Sequence, residues 1–144
     1  MRKLFIASFI YLVLGLAAGV FYREFTKFNN FEQGEFTQLS VVHTHILTLG
    51  FLAMLVFLAL EKLFSISNSQ GLFTTFFWLY NIGLIISTGM MVVHGSLTVL
   101  GTAEVSPAIS GIAGLGHMIL SAGLVIFMVA LGQNLNLAKK TEDE

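Results

Sequence analysis

Four histidines, His43, His45, His94 and His117, carry the chemistry this 144-residue chain could perform, because each falls inside a long apolar run. An ionisable side chain is costly in the hydrocarbon of a membrane, so one found there marks a functional site by default. Neutral imidazole is the commonest metal ligand among side chains. With no cysteine in the chain, a disulfide framework, a thiolate site, an iron–sulfur cluster and covalent c-type heme are all excluded. Imidazole is then the obvious axial ligand for heme, or a ligand for copper or zinc. The bland alternative is that each histidine only hydrogen-bonds across helices.

His43 and His45 form an H-x-H pair. At about 100° per residue their side chains point roughly 200° apart around a helix. They do not share one ion within that helix, unlike zinc ligands at i and i+4. The pair therefore serves two sites on opposite faces, or one site shared between subunits, and the second geometry requires an oligomer.

Other residues offer weaker chemistry. Arg23 could hold a heme propionate with its bidentate guanidinium, or simply pair with Glu24 or Glu35. Met90, Met91 and Met118 flank His94 and His117 and could supply a thioether to heme or reduced copper, although methionine in an apolar helix is usually packing. Trp78 and Tyr80 read as an aromatic belt, and Phe25, Phe28, Phe31 and Phe36 as interfacial anchors. No nucleophile motif, phosphate-binding loop or paired carboxylate occurs in any apolar run.

The elements that position these residues follow from composition. Hydrophobic residues make up 56% of the chain and charged residues 10%, with a mean hydropathy of +0.85, whereas soluble domains carry about a quarter charged residues. The fold class is an all-α integral membrane protein with four transmembrane helices, up-down-up-down, in one domain over residues 1–144. The runs are 4–22, 39–64, 72–100 and 108–132, each long enough to cross the hydrocarbon core as a helix. Residues 23–38 form a wet loop, 65–71 and 101–107 form tight turns, and 139–144 is a flexible tail. Measured from the outer helix ends at about 1.5 Å per residue, His43, His45, His94 and His117 lie about 5, 8, 9 and 15 Å deep. Three helices thus bring imidazoles to one leaflet.

Orientation follows from counting basic residues. Arg2, Lys3, Lys62, Lys139 and Lys140 fall on one side and only Arg23 and Lys27 on the other, so both termini are expected in the cytoplasm. The basic Met1-Arg2-Lys3 start is followed by no small-x-small cleavage site, so the first run is read as a retained span. A net charge of −1 gives no basic stripe for a nucleic acid. Gly15-x-x-x-Gly19, and a face through Ser110, Gly111, Gly114 and Gly116, are packing surfaces by default, or room for a flat cofactor.

The stretch Val42-His43-Thr44-His45-Ile46-Leu47-Thr48-Leu49-Gly50 resembles the heme-ligating helices of the heme–copper oxidase and nitric oxide reductase superfamily. His43-Thr44 and the apolar run after it are similar to the second helix of the nitric oxide reductases. The H-x-H is similar to an oxidase helix whose two histidines serve neighbouring hemes. The whole chain, including FYREFTKFNNF over 21–31, also resembles a family of bacterial four-span membrane proteins. The oxidase core has three four-helix arcs, and this chain has the helices of one.

The resemblance implies that a homotrimer would rebuild the ring, with one subunit's His43 and its neighbour's His45 ligating a b-type heme. It puts His94 near the oxidase copper position. Two features depart from the oxidases: His94 stands alone where they have paired histidines, and no Tyr lies one turn from a His, so oxygen reduction and proton pumping are not implied. The expected function is heme-based electron transfer or handling of a diatomic gas, O2 or NO, in a bacterial plasma membrane, with a redox partner. An intrasubunit pair such as His45 with His117 stays open. So do two other classes: a copper, zinc or proton transporter or channel component using the same histidines, and a noncatalytic scaffold.

Overall fold

The computed structural model describes residues 1–32, 34–102 and 106–142, the last seven as backbone alone. The expected flexible tail falls partly outside them: the last helix continues to Glu142, and residues 143 and 144 are not described.

Four helices are long and apolar enough to cross a membrane. They are α1 (Arg2–Phe28), α2 (Leu39–Phe64), α3 (Gln70–Val99) and α4 (Pro107–Glu142), the last with its membrane-length segment at Pro107–Leu135. Only a helix or a closed barrel satisfies every backbone N–H and C=O within hydrocarbon, which is why these apolar runs coil. Two helices outrun their apolar segments: α1 continues through Arg23 to Phe28 and α4 well past Gly132. The expected loop at 23–38 is correspondingly shorter, because Thr26 and Asn29 hydrogen-bond the carbonyls of Tyr22 and Phe25 and carry the helix into the polar segment.

The turn after α2 is built by Glu61, Ser65 and Ser67. Ser65 takes the left-handed conformation at φ 48°, a short 3₁₀ turn follows at Ile66–Asn68, and the buried Glu61 carboxylate accepts hydrogen bonds from Ser67 N at 2.9 Å and Ser67 Oγ at 2.5 Å. At the same end, Asn134 donates to the carbonyl of Ala130 and lies 3.4 Å from Ser69 Oγ.

The helices pack as antiparallel neighbours, α1 on α2, α2 on α3 and α3 on α4, and glycines set the spacing. A β-carbon built on Gly15 would stand 2.6 Å from Leu47 Cδ2, and one on Gly50 2.5 Å from the Tyr11 ring. On the other seam, Gly83 abuts the backbone of Leu120, Gly116 lies against Ser87, and Gly123 lies against the backbone of Tyr80. Between helices in lipid, close backbone approach replaces the hydrophobic effect as the source of association.

The core contains an aromatic cluster. Phe57, Phe76, Tyr80 and Phe127 interlock with ring centroids 4.6–5.9 Å apart. Tyr80 therefore corrects the expectation of an aromatic belt: it is 1% exposed and its hydroxyl donates to the carbonyl of Leu49 at 2.8 Å. Trp78, two residues earlier, faces outward.

Candidate histidine site

The middle of α2 departs from α-helical geometry where the H-x-H ends. Residues Ile46–Leu52 form a π-helix, in which the hydrogen bonds span five residues and the helix widens. The Ala53 N–H reaches the carbonyl of Thr48 across such a wider ring. π-Segments are rare and occur frequently at functional sites.

The two α2 histidines face different ways, as their spacing requires. His43 packs toward α1, with its Cβ and Cγ 3.8 Å from a β-carbon built on Gly19. The small Gly15-x-x-x-Gly19 face thus makes room for Leu47 and an imidazole. His43 Nδ1 is buried and has no hydrogen-bond partner among the described residues, and the same holds for His94 Nδ1 on α3. A buried polar atom without a partner is uncommon in a native fold and calls for water, an ion or a ligand.

His45 is arranged differently. Its Nδ1 donates to the carbonyl of Val41 at 2.8 Å, one turn earlier. In the neutral imidazole that bond puts the proton on Nδ1 and leaves Nε2 with its lone pair, the tautomer in which imidazole ligates a metal. His45 lines a surface recess of about 270 Å³ together with Thr44, Thr48 and Leu49. Every lining residue belongs to α2, and Thr44 and Thr48 are exposed, so α2 presents a polar, histidine-bearing patch on its outer surface.

His117 repeats the tautomer-fixing device on α4. Its Nδ1 donates to the carbonyl of Ala113 at 2.8 Å, with Ser87 Oγ 3.4 Å from the same nitrogen. Its side chain is exposed on the helix surface. The small-residue face anticipated on α4 divides: Gly116 packs against α3, whereas Gly111 and Gly114 meet nothing within 4 Å. Ser110, Gly114, His117 and Ser121 are all exposed at helical spacings of four, three and four, so they form one outward stripe.

The described residues contain no group of three or more His, Cys, Asp or Glu side chains that could hold a metal ion within this chain. Each histidine supplies at most part of a coordination sphere, which suits a cofactor that brings its own donors, or completion by another subunit. Arg23 lies 3.6 Å from Glu24, with both side chains largely exposed. Such a pair contributes little. Of the methionines, Met118 is exposed beside His117, while Met91 packs against the core.

Sequence reasoning missed the π-segment and the tautomer-fixing bonds, both set by backbone carbonyls and therefore without a signature in residue types. It also missed Gly95 on α3, which abuts Leu39 at the start of α2, where Thr37 Oγ1 donates to the Gly95 carbonyl at 2.8 Å. That contact seats the H-x-H end of α2 beside the His94 end of α3.

No curated protein and no solved structure matches the chain. The family described as "Protein of unknown function (DUF2871)" matches residues 1–134, a stretch that holds the first three membrane-length helices, all but the last residue of the fourth's Pro107–Leu135 segment, and all four histidines, and the chain belongs to this family.

Proposed function

We propose that this protein is a membrane-embedded b-type heme protein, built as one four-helix arc of a heme–copper-oxidase-like ring and completed as a homotrimer in a bacterial plasma membrane with both termini cytoplasmic. The observation that carries the reading is His45: an imidazole anchored through Nδ1 to the carbonyl of Val41, with Nε2 free of that bond, in a recess open on the outer surface of a membrane helix. A porphyrin supplies four of its own donors, so it needs only one or two imidazoles, which agrees with histidines that do not gather in threes.

His45 from one subunit and His43 from its neighbour are the proposed axial ligands. His43 packs toward α1 and its buried Nδ1 is unpartnered in the single chain, so this ligand would require α2 to turn toward the neighbouring subunit on assembly. Arg23 would exchange its weak, exposed contact with Glu24 for a propionate. Heme held by these residues would supply one-electron chemistry, and because His43 and His45 would together leave no position for a gas, transfer of single electrons to and from a redox partner is the function favoured.

A second reading rests on His94, whose buried Nδ1 has no partner. In it the histidines bind copper or zinc, or relay protons, as part of a transporter or channel.

The test is a visible spectrum of detergent-purified protein, oxidised and then dithionite-reduced. The expected result is a Soret band with sharp reduced α and β bands, lost in His45→Ala and restored by added imidazole, with a weaker change in His43→Ala. A flat spectrum after expression with supplied heme overturns the proposal, and metal analysis of that sample then distinguishes the copper or zinc reading from a scaffold.

A further inference from the structure

Away from the histidines, α1 and α3 leave an open groove of about 410 Å³ between them. Its walls are Ile6, Ile10 and Leu14 of α1 and Trp78 and Ile85 of α3, with Lys3 at one end. From Lys3 to Leu14 the groove follows α1 for about 16 Å, at 1.5 Å per residue. Its walls are roughly half exposed: Ile6 45%, Ile10 50% and Leu14 48%.

The floor contains two polar side chains, Tyr11 and Asn81, and both are already committed. Tyr11 OH donates to Asn81 Oδ1 at 2.7 Å, and Asn81 Nδ2 donates to the carbonyl of Phe77 at 2.6 Å. A quinone head, which needs donors for its carbonyls, would meet only the second N–H of Asn81, in a side chain that is 8% exposed. An aliphatic chain asks for no hydrogen bond.

The charges at the Lys3 end choose what that chain is attached to. Arg2, Lys3 and Lys62 lie at this end of the bundle, and α1 has no acidic residue in its first turn. The one acid of the α2 end, Glu61, is buried and engaged by Ser67. A second copy in the same membrane orientation that docked by this same face would set its own Arg2 and Lys3 against these and oppose like charges. A phosphate meets them favourably.

We propose that this groove is a site for one acyl chain of an anionic phospholipid, with the phosphate held by Lys3 and Arg2. The proposal is independent of the heme reading and of which leaflet the Lys3 end occupies, since phospholipid headgroups line both.

The experiment is native mass spectrometry of the full-length, delipidated protein with added dioleoyl phosphatidylglycerol or phosphatidylcholine. The expected result is one retained phosphatidylglycerol, bound in preference to phosphatidylcholine. Lys3→Glu, an exposed change at the helix start, reduces that preference at least about fivefold, as expected for loss of one basic residue near a phosphate. Ile10→Trp, which fills the groove, weakens both lipids, with circular dichroism reporting that the helices persist. Equal binding of the two lipids, or phosphatidylglycerol binding unaffected by either variant, overturns the proposal. So does a chain dimer that Ile10→Trp dissociates, because it would assign the groove to a second copy.

Discussion

The hydroxyl of Tyr11 donates to the side-chain carbonyl of Asn81 at 2.7 Å, both residues being buried, and so ties α1 to α3 across the bundle. The ring of the same tyrosine occupies the space left by Gly50 on α2. One residue therefore holds three helices in register by two kinds of contact, a hydrogen bond and a close packing against missing side-chain volume.

Tyr11→Phe keeps the packing and removes the bond. Interhelical hydrogen bonds in membranes contribute about 0.6 kcal/mol on average, and leaving Asn81 without its donor raises the expected loss to about 1 kcal/mol. Reversible unfolding in mixed micelles measures it. Asn81→Leu should cost a similar amount, and the double variant less than the two single losses combined. Strict additivity would show that the bond contributes nothing.

The α3–α4 seam should be the least tolerant of added volume. Gly83 has the backbone of Leu120 where a β-carbon would go, and backbone cannot rotate aside as a side chain does. Gly83→Ala is expected to destabilise the chain by about 1–3 kcal/mol, the usual cost of overpacking. Gly111→Ala, at a position with nothing within 4 Å, should fall within about 0.5 kcal/mol of the parent. Thermal unfolding of both variants in one detergent makes the comparison, and equal losses would contradict the seam described.

Much of this arrangement is legible in residue types. Runs free of charge locate the membrane helices, because hydrocarbon excludes ionised groups over a fixed thickness; α2 begins and ends where its run does, at Leu39 and Phe64. The opposed directions of His43 and His45 follow from their spacing of two. What sequence leaves open depends on backbone and on neighbours. Tyr80 is as suited to an interfacial belt as to a core, and the carbonyl of Leu49, not any property of tyrosine, makes it a core residue. Gly111, Gly114 and Gly116 look alike in sequence, yet only Gly116 faces α3. The π-segment has no residue signature because it is a change of hydrogen-bond register, and it shifts the angular relation between His45 and everything after Leu52.

The outward stripe Ser110, Gly114, His117 and Ser121 yields the last prediction, on assembly. If α4 faced only lipid, an exposed imidazole among small residues would be a poor choice, because hydrocarbon favours Leu at every one of these positions. If it faces another subunit, the small residues admit a neighbouring helix and His117 finds a partner for the nitrogen that its bond to Ala113 leaves unprotonated. Gly114→Leu is therefore expected to convert the proposed homotrimer to monomers, with helix content unchanged, because the added side chain points into space that is open in the single chain. His117→Leu should weaken assembly without adding bulk of comparable reach. Mass measurement of the detergent-solubilised protein, corrected for bound detergent, separates the cases. A trimer that survives both substitutions would place the subunit contact elsewhere, whereas a parent protein that is already monomeric would remove the shared-heme geometry altogether and leave His45 to ligate within its own chain.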